Sequence, residues 1–452
     1  MFCRVSSGRA RCFYACMVSA YMWLAVADAL ALQQDSLTIT EAVSIVLRKS
    51  HSLKSLASQL EAAQAKTEDS KTAYFPSVSA DLSYTNIGPA DNLKIQFGAL
   101  SLALAPANNY DAHVGAGIVL FDFGKRKLNT EAAKLSEQII KDKTAGAEKG
   151  IIFQVVSLVT NIAMMQQGAA IQNENIETLE RHLNIVKKRV ETGAGTDYDI
   201  LKTQAQLAFS RAALLDIENN LAKLRITLAS LMSVPVDSLP SIKNNLDSTR
   251  YTGSVDSLVS VALTQRTEII TQRTTVETLK IRKELIAKEM VPVLAAGIST
   301  GFKDGYPSMN PSDINVPKFN WAASALLHVP LYDGSREQYH LKEVQADLDA
   351  ADEVLADMVE KVRAEVLSAF SDVTTAYSKL ASSAMQVKLG EESLRLAQKS
   401  LEAGTLTNDD VLNTEKDYSQ AKLVDLQDHI RYMLSLYSLK QATGVSLVKE
   451  HP

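Results

Sequence analysis

Cysteine is nearly absent from this 452-residue chain, and its three cysteines, Cys3, Cys12 and Cys16, all lie near the amino terminus. The same segment has a positive start, an apolar run over residues 13–26 and small residues that suit a signal peptidase. This pattern predicts an export signal over residues 1–31, with an uncleaved membrane anchor as the alternative. Without that leader the chain has no thiol, which excludes disulfide bonds and thiolate chemistry.

Proline, aromatic residues and a strong net charge are also scarce. Aromatic residues make up 6% of the chain, and none of its 11 prolines lies within residues 125–234 or 331–451. Proline-free tracts of this length, rich in Ala, Leu, Glu, Lys and Gln, predict long helices. The formal net charge of −5 becomes −7 without the leader, which holds three arginines and one aspartate. This mild acidity argues against nucleic acid as a partner.

The chain contains an internal duplication. Leu-Phe-Asp at residues 120–122 returns as Leu-Tyr-Asp at 331–333, and Gly193 returns as Gly404, a constant offset of 211 residues. A period this long indicates one large duplicated unit rather than a solenoid. The expected segments after the leader are a first repeat over 32–235, a linker over 236–253, a second repeat over 254–447 and a tail over 448–452.

Each repeat carries two predicted strands of about ten residues with one apolar face, because apolar residues alternate with small or polar ones. The apolar rows are Val78 to Tyr84, Val114 to Leu120, Leu294 to Ile298 and Ala325 to Leu331, with Trp321 at the start of the fourth strand. Strands of this length span a bilayer when tilted, and soluble hairpins are the alternative. Outside the leader, no apolar stretch approaches the ~20 residues of a transmembrane helix. Four strands cannot close a barrel, so membrane-spanning strands would require at least two chains.

Long helical hairpins are predicted after the strands of each repeat. Each repeat is expected to open with a helix, over residues 37–73 and 255–290, and to end with two helices of three-four apolar spacing, typical of coiled coils. A continuous helix from Lys125 to Glu191 would be ~100 Å long. Gly193 and Gly404 suit tight reversals between antiparallel helices. The sequence therefore predicts a mainly α fold with a small β part.

Six segments in this order resemble the TolC-like outer membrane efflux proteins, also called outer membrane factors. The resemblance covers essentially the whole mature chain. The segments that carry it are LTITEAVSIVLRKS, AYFPSVSADLSYT, VLFDFGKRK, TGAGTDYDILKTQAQLA, HVPLYDGSRE and AGTLTNDDVLNTEKDY.

The resemblance implies a homotrimer whose four strands per chain complete a twelve-stranded β-barrel in outer-membrane lipid. The helical hairpins would form an α-barrel across the periplasm, and the duct would work with a periplasmic adaptor and an inner-membrane transporter. The implied function is a passive exit duct for efflux or type I secretion, not an enzyme and without a cofactor. The sequence suggests no catalytic or metal site, because its histidines are scattered and no phosphate-binding loop follows a strand. The alternative, a structural coiled-coil protein of the cell envelope, would not need the matched strands.

By the same resemblance, the gate lies at the hairpin tips. Asp410 occupies the position of an acidic ring, Asn413 stands where some members have a second aspartate, and Asp199 is the equivalent position after the first reversal. A ring of carboxylates would attract cations. A compatible reading is that the aspartates stabilise helix N-termini. The basic and tyrosine positions of a known latch fall at Leu406 and Leu401, so closure is expected to depend on packing around these leucines plus the Asp410 ring.

Other residues near the tips carry further expectations. The resemblance places adaptor contact at Gly193, Gly404 and Thr405, with simple turn formation as the alternative. Asp409 and the run Lys187-Lys188-Arg189 are expected to face solvent. Away from the tips, Trp321 suits either an aromatic belt at the membrane interface or ordinary packing.

Overall fold

The computed structural model describes residues 36–88, 94–98, 100–103, 108–242, 250–304 and 316–446. The predicted leader, the tail and part of the linker lie outside these residues. The chain divides into two compact units, each drawn from both repeats. The described residues of the tip unit fall within Met1–Ser55, Thr144–Ile269 and Met358–Pro452, and those of the strand unit within Leu56–Lys143 and Ile270–Asp357.

Helices dominate the described residues, as predicted. They are α1 (Ile39–Lys49), α2 (His51–Thr72), α3 (Lys125–Glu191), α4 (Asp197–Met232), α5 (Val255–Gln265), α6 (Thr267–Ile286), α7 (Arg336–Glu402) and α8 (Asn408–Thr443). The two predicted hairpins are α3 with α4 and α7 with α8. Each consists of a 67-residue helix followed by a 36-residue helix. The duplication therefore preserves helix length to the residue.

The predicted opening helix of each repeat is wrong in one respect, because each is two helices. The break at Ser50 has ψ 118°, outside the helical region, and the Ser50 hydroxyl accepts the amide of Leu53 at 3.3 Å. The break at Arg266 has ψ 124°, and its guanidinium bonds Glu268 and Glu365. Each opening helix is thus interrupted at a single polar residue, which apolar periodicity does not register.

The strands of the described residues are β1 (Ser36–Leu37), β2 (Ser77–Asn86), β3 (Lys94–Phe97), β4 (Leu100–Ala103), β5 (Asn108–Phe121), β6 (Ser241–Ile242), β7 (Val293–Lys303) and β8 (Lys318–His328). Four of them form one antiparallel sheet in the order β2-β5-β7-β8, which confirms the predicted strand number. Val78 pairs with Ala116 and Leu82 with Ala112, so the predicted apolar rows share one face. Leu82 is 84% exposed. This face is therefore uncovered within one chain.

The predicted fourth strand lies too far along the chain. Trp321 is inside β8, paired with Thr300, and the strand ends at His328. Val329 and Leu331 continue the apolar alternation but lie beyond the strand. Pro330 lies between them and has no amide hydrogen for a sheet, so the alternation there is not matched by pairing.

Two smaller pairs of strands were not predicted. Strands β3 and β4 form a short antiparallel pair between β2 and β5 in the chain. Strand β6 lies in the predicted linker, after a 3₁₀ turn at Val236–Ser238, and pairs in parallel with β1. Residues 236–242 of the predicted linker therefore include a 3₁₀ turn and a short strand.

The repeated Leu-aromatic-Asp motif begins each long helix. The Asp122 carboxylate accepts the amides of Gly124 at 3.1 Å and Arg126 at 2.8 Å. The Asp333 carboxylate accepts the amides of Arg336 at 3.1 Å and Glu337 at 2.8 Å. These bonds satisfy amides that a helix N-terminus leaves without an intrahelical partner. The aspartate is therefore repeated because it starts the helix.

The core of the tip unit lies where α1, α3 and α4 meet. It contains Val46 from α1, Val155, Val159 and Ile162 from α3, and Leu228 from α4, all buried.

The expectation that no segment outside the leader is apolar enough to cross a membrane needs correction. Among the helices of the described residues, α3 alone is long and apolar enough to cross a membrane, by length and composition. Its apolar side chains at these positions pack within the protein core.

Candidate functional site

Two reversals of the chain form the candidate site. Gly193 and Gly404 have φ +77° and +75°, a left-handed conformation that costs residues with a side chain about 1–2 kcal/mol. The Gly193 amide donates to Val190 O at 3.0 Å, and the Gly404 amide donates to Leu401 O at 3.1 Å. Both glycines thus close the preceding helix, which accounts for their recurrence. Thr405 follows in an exposed turn, where its hydroxyl donates to Ser400 O at 3.0 Å.

Both predicted acidic residues sit in capping boxes. Asp199 accepts the Thr196 amide at 2.9 Å, and Asp410 accepts the Thr407 amide at 2.9 Å. The threonine side chain of each box accepts the aspartate's amide in return. The hydrogen bonds from the Thr407 side chain and backbone lower the pKa of Asp410. Asp410 is therefore an exposed, ionised carboxylate that also stabilises the start of α8.

The two leucines and Asn413 have different surroundings. Leu401 is buried and packs with Leu394 and Val411, inside the α7–α8 hairpin. Leu406 is 38% exposed and Asn413 is exposed. Leu401 therefore contributes to packing within one chain, whereas Leu406 and Asn413 are available for contacts outside it.

A buried polar set centred on Asn408 joins the two hairpins, and sequence reasoning missed it. The Asn408 side chain accepts from His182 Nε2 at 2.8 Å and donates to the Thr203 hydroxyl at 3.3 Å and to Asp199 O at 3.4 Å. His182, Thr203 and Asn408 are all buried. Burial lowers the pKa of His182, partly opposed by the bond to Asn408. A neutral histidine and an amide suit this site because neither requires a buried charge.

The sequence offered one signal for this set. In the duplication Asn408 corresponds to Asp197, so a charged residue in the first copy is replaced by a neutral amide in the second. Asp197 is exposed, and Asn408 is buried. The loss of charge matches the change in burial.

Two charged residues expected to face solvent instead bond across the tip. Arg189 donates to Leu401 O at 2.6 Å and to Ala194 O at 3.2 Å, linking the two reversals. Asp409 forms an ion pair with Lys202 of α4, and this hydrogen bond raises the pKa of Lys202. The predicted solvent role is therefore wrong for Arg189, whereas the Asp409 side chain pairs with Lys202 and stays 48% exposed. A cationic side chain of α3 therefore bonds the second reversal, although Leu406 occupies the position expected for a basic residue.

The reversals enclose a cleft of about 470 Å³, lined by Arg189, Asp199, Leu401 and Leu406 among others. Its lining combines apolar side chains with backbone carbonyls, a guanidinium and a carboxylate. The site thus brings together Asp199, Leu401, Leu406 and the reversal glycine Gly193. The chemistry it offers is charge and packing at a helix tip.

A family model described as Outer membrane efflux protein matches residues 42–234 and 247–445. The chain is 22% identical to the outer membrane efflux protein BepC of Brucella suis over 351 residues, which are 76% of this chain and 75% of that protein. It is 18% identical to the proteases secretion protein PrtF of Dickeya chrysanthemi over 421 residues, 90% of this chain and 88% of that protein.

The fold is also similar to a solved structure, that of the outer membrane protein VceC of Vibrio cholerae. The TM-score is 0.75 at 17% identity, and the match covers 91% of this chain and 97% of VceC. At this identity the likeness establishes the fold, a mainly helical chain with a small sheet.

Proposed function

The chain belongs to the outer membrane efflux protein family, and on that premise we propose that three copies of it form a passive exit duct that closes at the helix tips. Its location in the outer membrane and its role as an efflux or secretion channel follow from the family. Members of the family are channels and not enzymes. They form trimers that work with adaptors and inner-membrane transporters.

One observation carries the trimer: the sheet has two open edges. Strands β2 and β8 are each bonded on one side only among the described residues. Unpaired backbone groups in lipid cost several kcal/mol each, so edges in a membrane must be closed by another chain. Three chains of four strands supply twelve, enough for a barrel with a channel.

The exposed apolar face of the sheet supports the same assembly. Leu82, Ile298 and Trp321 are more than half exposed on the face that bears the predicted apolar rows. Residues of the opposite face include Asp81 and His113, which pair across β2 and β5. Lipid outside and water inside would suit these two faces.

The gate of the duct is assigned to the tips of the hairpins. In a trimer, three exposed Asp410 carboxylates would approach one another at the entrance. Asp199 would lie just after the first reversal, and Asn413 and Leu406 would be available for contacts between chains. Like charges at a constriction attract cations and repel one another. The buried Leu401 and the Arg189 bond to its carbonyl would hold each tip in the closed form.

The exposed turn at Gly193, Gly404 and Thr405 is the proposed contact for a periplasmic adaptor. An inner-membrane transporter would supply energy through that adaptor. The proposed domain organisation keeps the duplication: a leader over 1–31, repeats over 32–235 and 254–447, a linker over 236–253 and a tail over 448–452. Matched helix lengths in the two repeats support it.

Disulfide cross-linking of the sheet edges tests the trimer. Because the cysteines of the sequence lie in the leader, an introduced pair is free of competing thiols. Cysteines at Ala80 of β2 and Ala323 of β8, with neighbouring registers tested in parallel, should give a ladder that stops at a covalent trimer in outer-membrane extracts. A pair at Ala112 and Ile298, on the inner strands, is the control and should give no ladder. A chain that stays monomeric at every register, or a ladder that passes the trimer, would contradict the proposal.

A further inference from the structure

Glu415 is a buried carboxylate that the gate described above does not use. It lies in α8, one to two turns after Asp410, and is 2% exposed. Neither of its carboxylate oxygens has a hydrogen-bond partner within the described part of the chain. A buried ionised carboxylate without a partner is strongly unfavourable, so this side chain requires either a proton or a rearrangement.

The surroundings of Glu415 form a small cavity among three helices. The cavity has a volume of about 30 Å³, close to the share of one water molecule in the liquid. Its lining includes Glu174 and Thr178 from α3, Leu394 from α7, and Tyr418 and Lys422 from α8. The α7 residue is apolar, so the charged residues of the lining other than Glu415 come from α3 and α8.

The charged groups nearby are already engaged with other partners. Lys422 donates to Glu174 at 2.7 Å, and its ammonium lies 4.6 Å from the centre of the Tyr418 ring. Arg181, one turn beyond Thr178 on α3, donates to the Thr178 hydroxyl at 3.0 Å. Arg181 therefore acts on Glu415 through its charge and not through a direct bond. His182, the next residue of α3, is bonded to Asn408 instead.

Burial raises the pKa of Glu415 to about 7, and the charge of Arg181 opposes part of this effect. The folded tip therefore retains a proton at pH values where an exposed glutamate has lost it. Because the pKa of Glu415 is higher in the packed state than in an exposed glutamate, the packed state loses stability as the pH rises from the ordinary pKa of a glutamate to about 7. Above about pH 7 this loss of stability is complete.

The position of Glu415 connects this proton to the tip. Val411 and Leu412 lie about one turn before Glu415 in α8. Val411 packs against Leu401, and Leu412 packs with Leu179 and Leu207. A change at Glu415 thus acts on the segment of α8 that begins at the Thr407 cap. Packed helices respond to such a change by shifting between discrete arrangements rather than by yielding locally.

We propose that Glu415 is a proton-binding site that regulates the duct: its neutral carboxyl keeps the first turns of α8 packed against α3, and loss of the proton favours opening of the tip. This inference rests on the proposed gate at the helix tips. The ligand is a proton from the periplasmic solvent, and opening exposes the carboxylate to bulk water.

Conductance of the trimer in planar bilayers, with the pH varied on the tip side, tests the proposal. For the unaltered chain, the ratio of open to closed channels should rise by up to about tenfold per pH unit for each Glu415 that titrates. The rise should level off above about pH 7. Glu415→Gln, which mimics the protonated carboxyl, should remove this rise. Asp417→Asn, an exposed change on the same helix, should leave it intact.

A pH response that is the same in Glu415→Gln as in the unaltered trimer would overturn the inference. Infrared difference spectroscopy gives a second readout that does not require a channel. The carboxyl stretch of a protonated side chain should be present at pH 6, lost at pH 8 and absent from Glu415→Gln. If no conductance is seen but this band titrates, the proton site stands and the duct fails. If conductance is normal and the band is missing, the proton site fails and the duct stands.

Discussion

At the first reversal, around Gly193, the new helix presents Leu201 to solvent; at the second, around Gly404, the corresponding Leu412 is buried. Leu201 is 64% exposed and Leu412 is 5% exposed. The same contrast holds for exposed Asp197 and buried Asn408. Both reversals nevertheless share the left-handed glycine and the threonine–aspartate capping box.

The two reversals share their local structure and differ in their tertiary contacts. Short-range hydrogen bonds, which need only residues a few positions apart, are retained in both copies of the duplication. Long-range contacts are not: α8 begins inside the packed tip, whereas α4 begins at its surface. Glu415 fits this difference, because the corresponding Gln204 is exposed. The second reversal is therefore the one that is packed into the tip.

The largest expected effect separates the two leucines. Leu412→Ala should lower the free energy of unfolding by about 3 kcal/mol, because it leaves a cavity among buried leucines. The matched change Leu201→Ala should cost under about 0.5 kcal/mol for the fold of one chain. Chemical denaturation of the purified trimers in detergent measures both. Equal costs would show that burial in one chain does not describe the difference between the reversals.

A smaller effect is expected from the buried amide. Asn408→Ala removes partners from His182 and Thr203 and should cost about 2 kcal/mol, because buried polar groups lose their hydrogen bonds. Asp197→Ala, at the corresponding exposed position, should be nearly neutral. Hydrogen exchange of the tip peptides provides the measurement. Faster exchange in Asp197→Ala than in Asn408→Ala would reverse the proposed order.

The smallest effect should be the same at both reversals. Thr407→Ala and Thr196→Ala each remove one capping box and should each cost about 1 kcal/mol. The rate of limited proteolysis at the tips reports this loss. A several-fold difference between the two variants would mean that the boxes differ in more than local structure, and the comparison would need revision.

Much of the fold could be predicted because its signals are local. Proline-free tracts indicate long helices. The reversal glycines and the Thr-x-x-Asp boxes indicate helix ends from a few neighbouring residues. The breaks at Ser50 and Arg266 could not be predicted, since each is a change of ψ at one residue within an otherwise continuous helical pattern. The end of β8 depends on its pairing with β7, which the apolar alternation through Leu331 does not reveal.

The candidate site was predictable only in part, for the same reason. The capping role of Asp199 and Asp410 follows from residues three positions away. The bond between His182 and Asn408 joins residues 226 positions apart, and the bond from Arg189 to Leu401 spans 212. A charge run such as Lys187-Lys188-Arg189 gives no indication of which member turns inward. Contacts of this kind need the fold before they can be identified.

Asp410 is proposed to form an acidic constriction at the entrance of a trimeric duct. The most direct measurement is single-channel conductance, with its dependence on cations, for unaltered, Asp410→Ala and Thr407→Val trimers. Thr407→Val weakens the same capping box while keeping the carboxylate, so it controls for the start of α8. We expect Asp410→Ala to raise conductance and reduce its cation dependence, and Thr407→Val to retain that dependence. If Asp410→Ala leaves both conductance and cation dependence unchanged, the claim is contradicted.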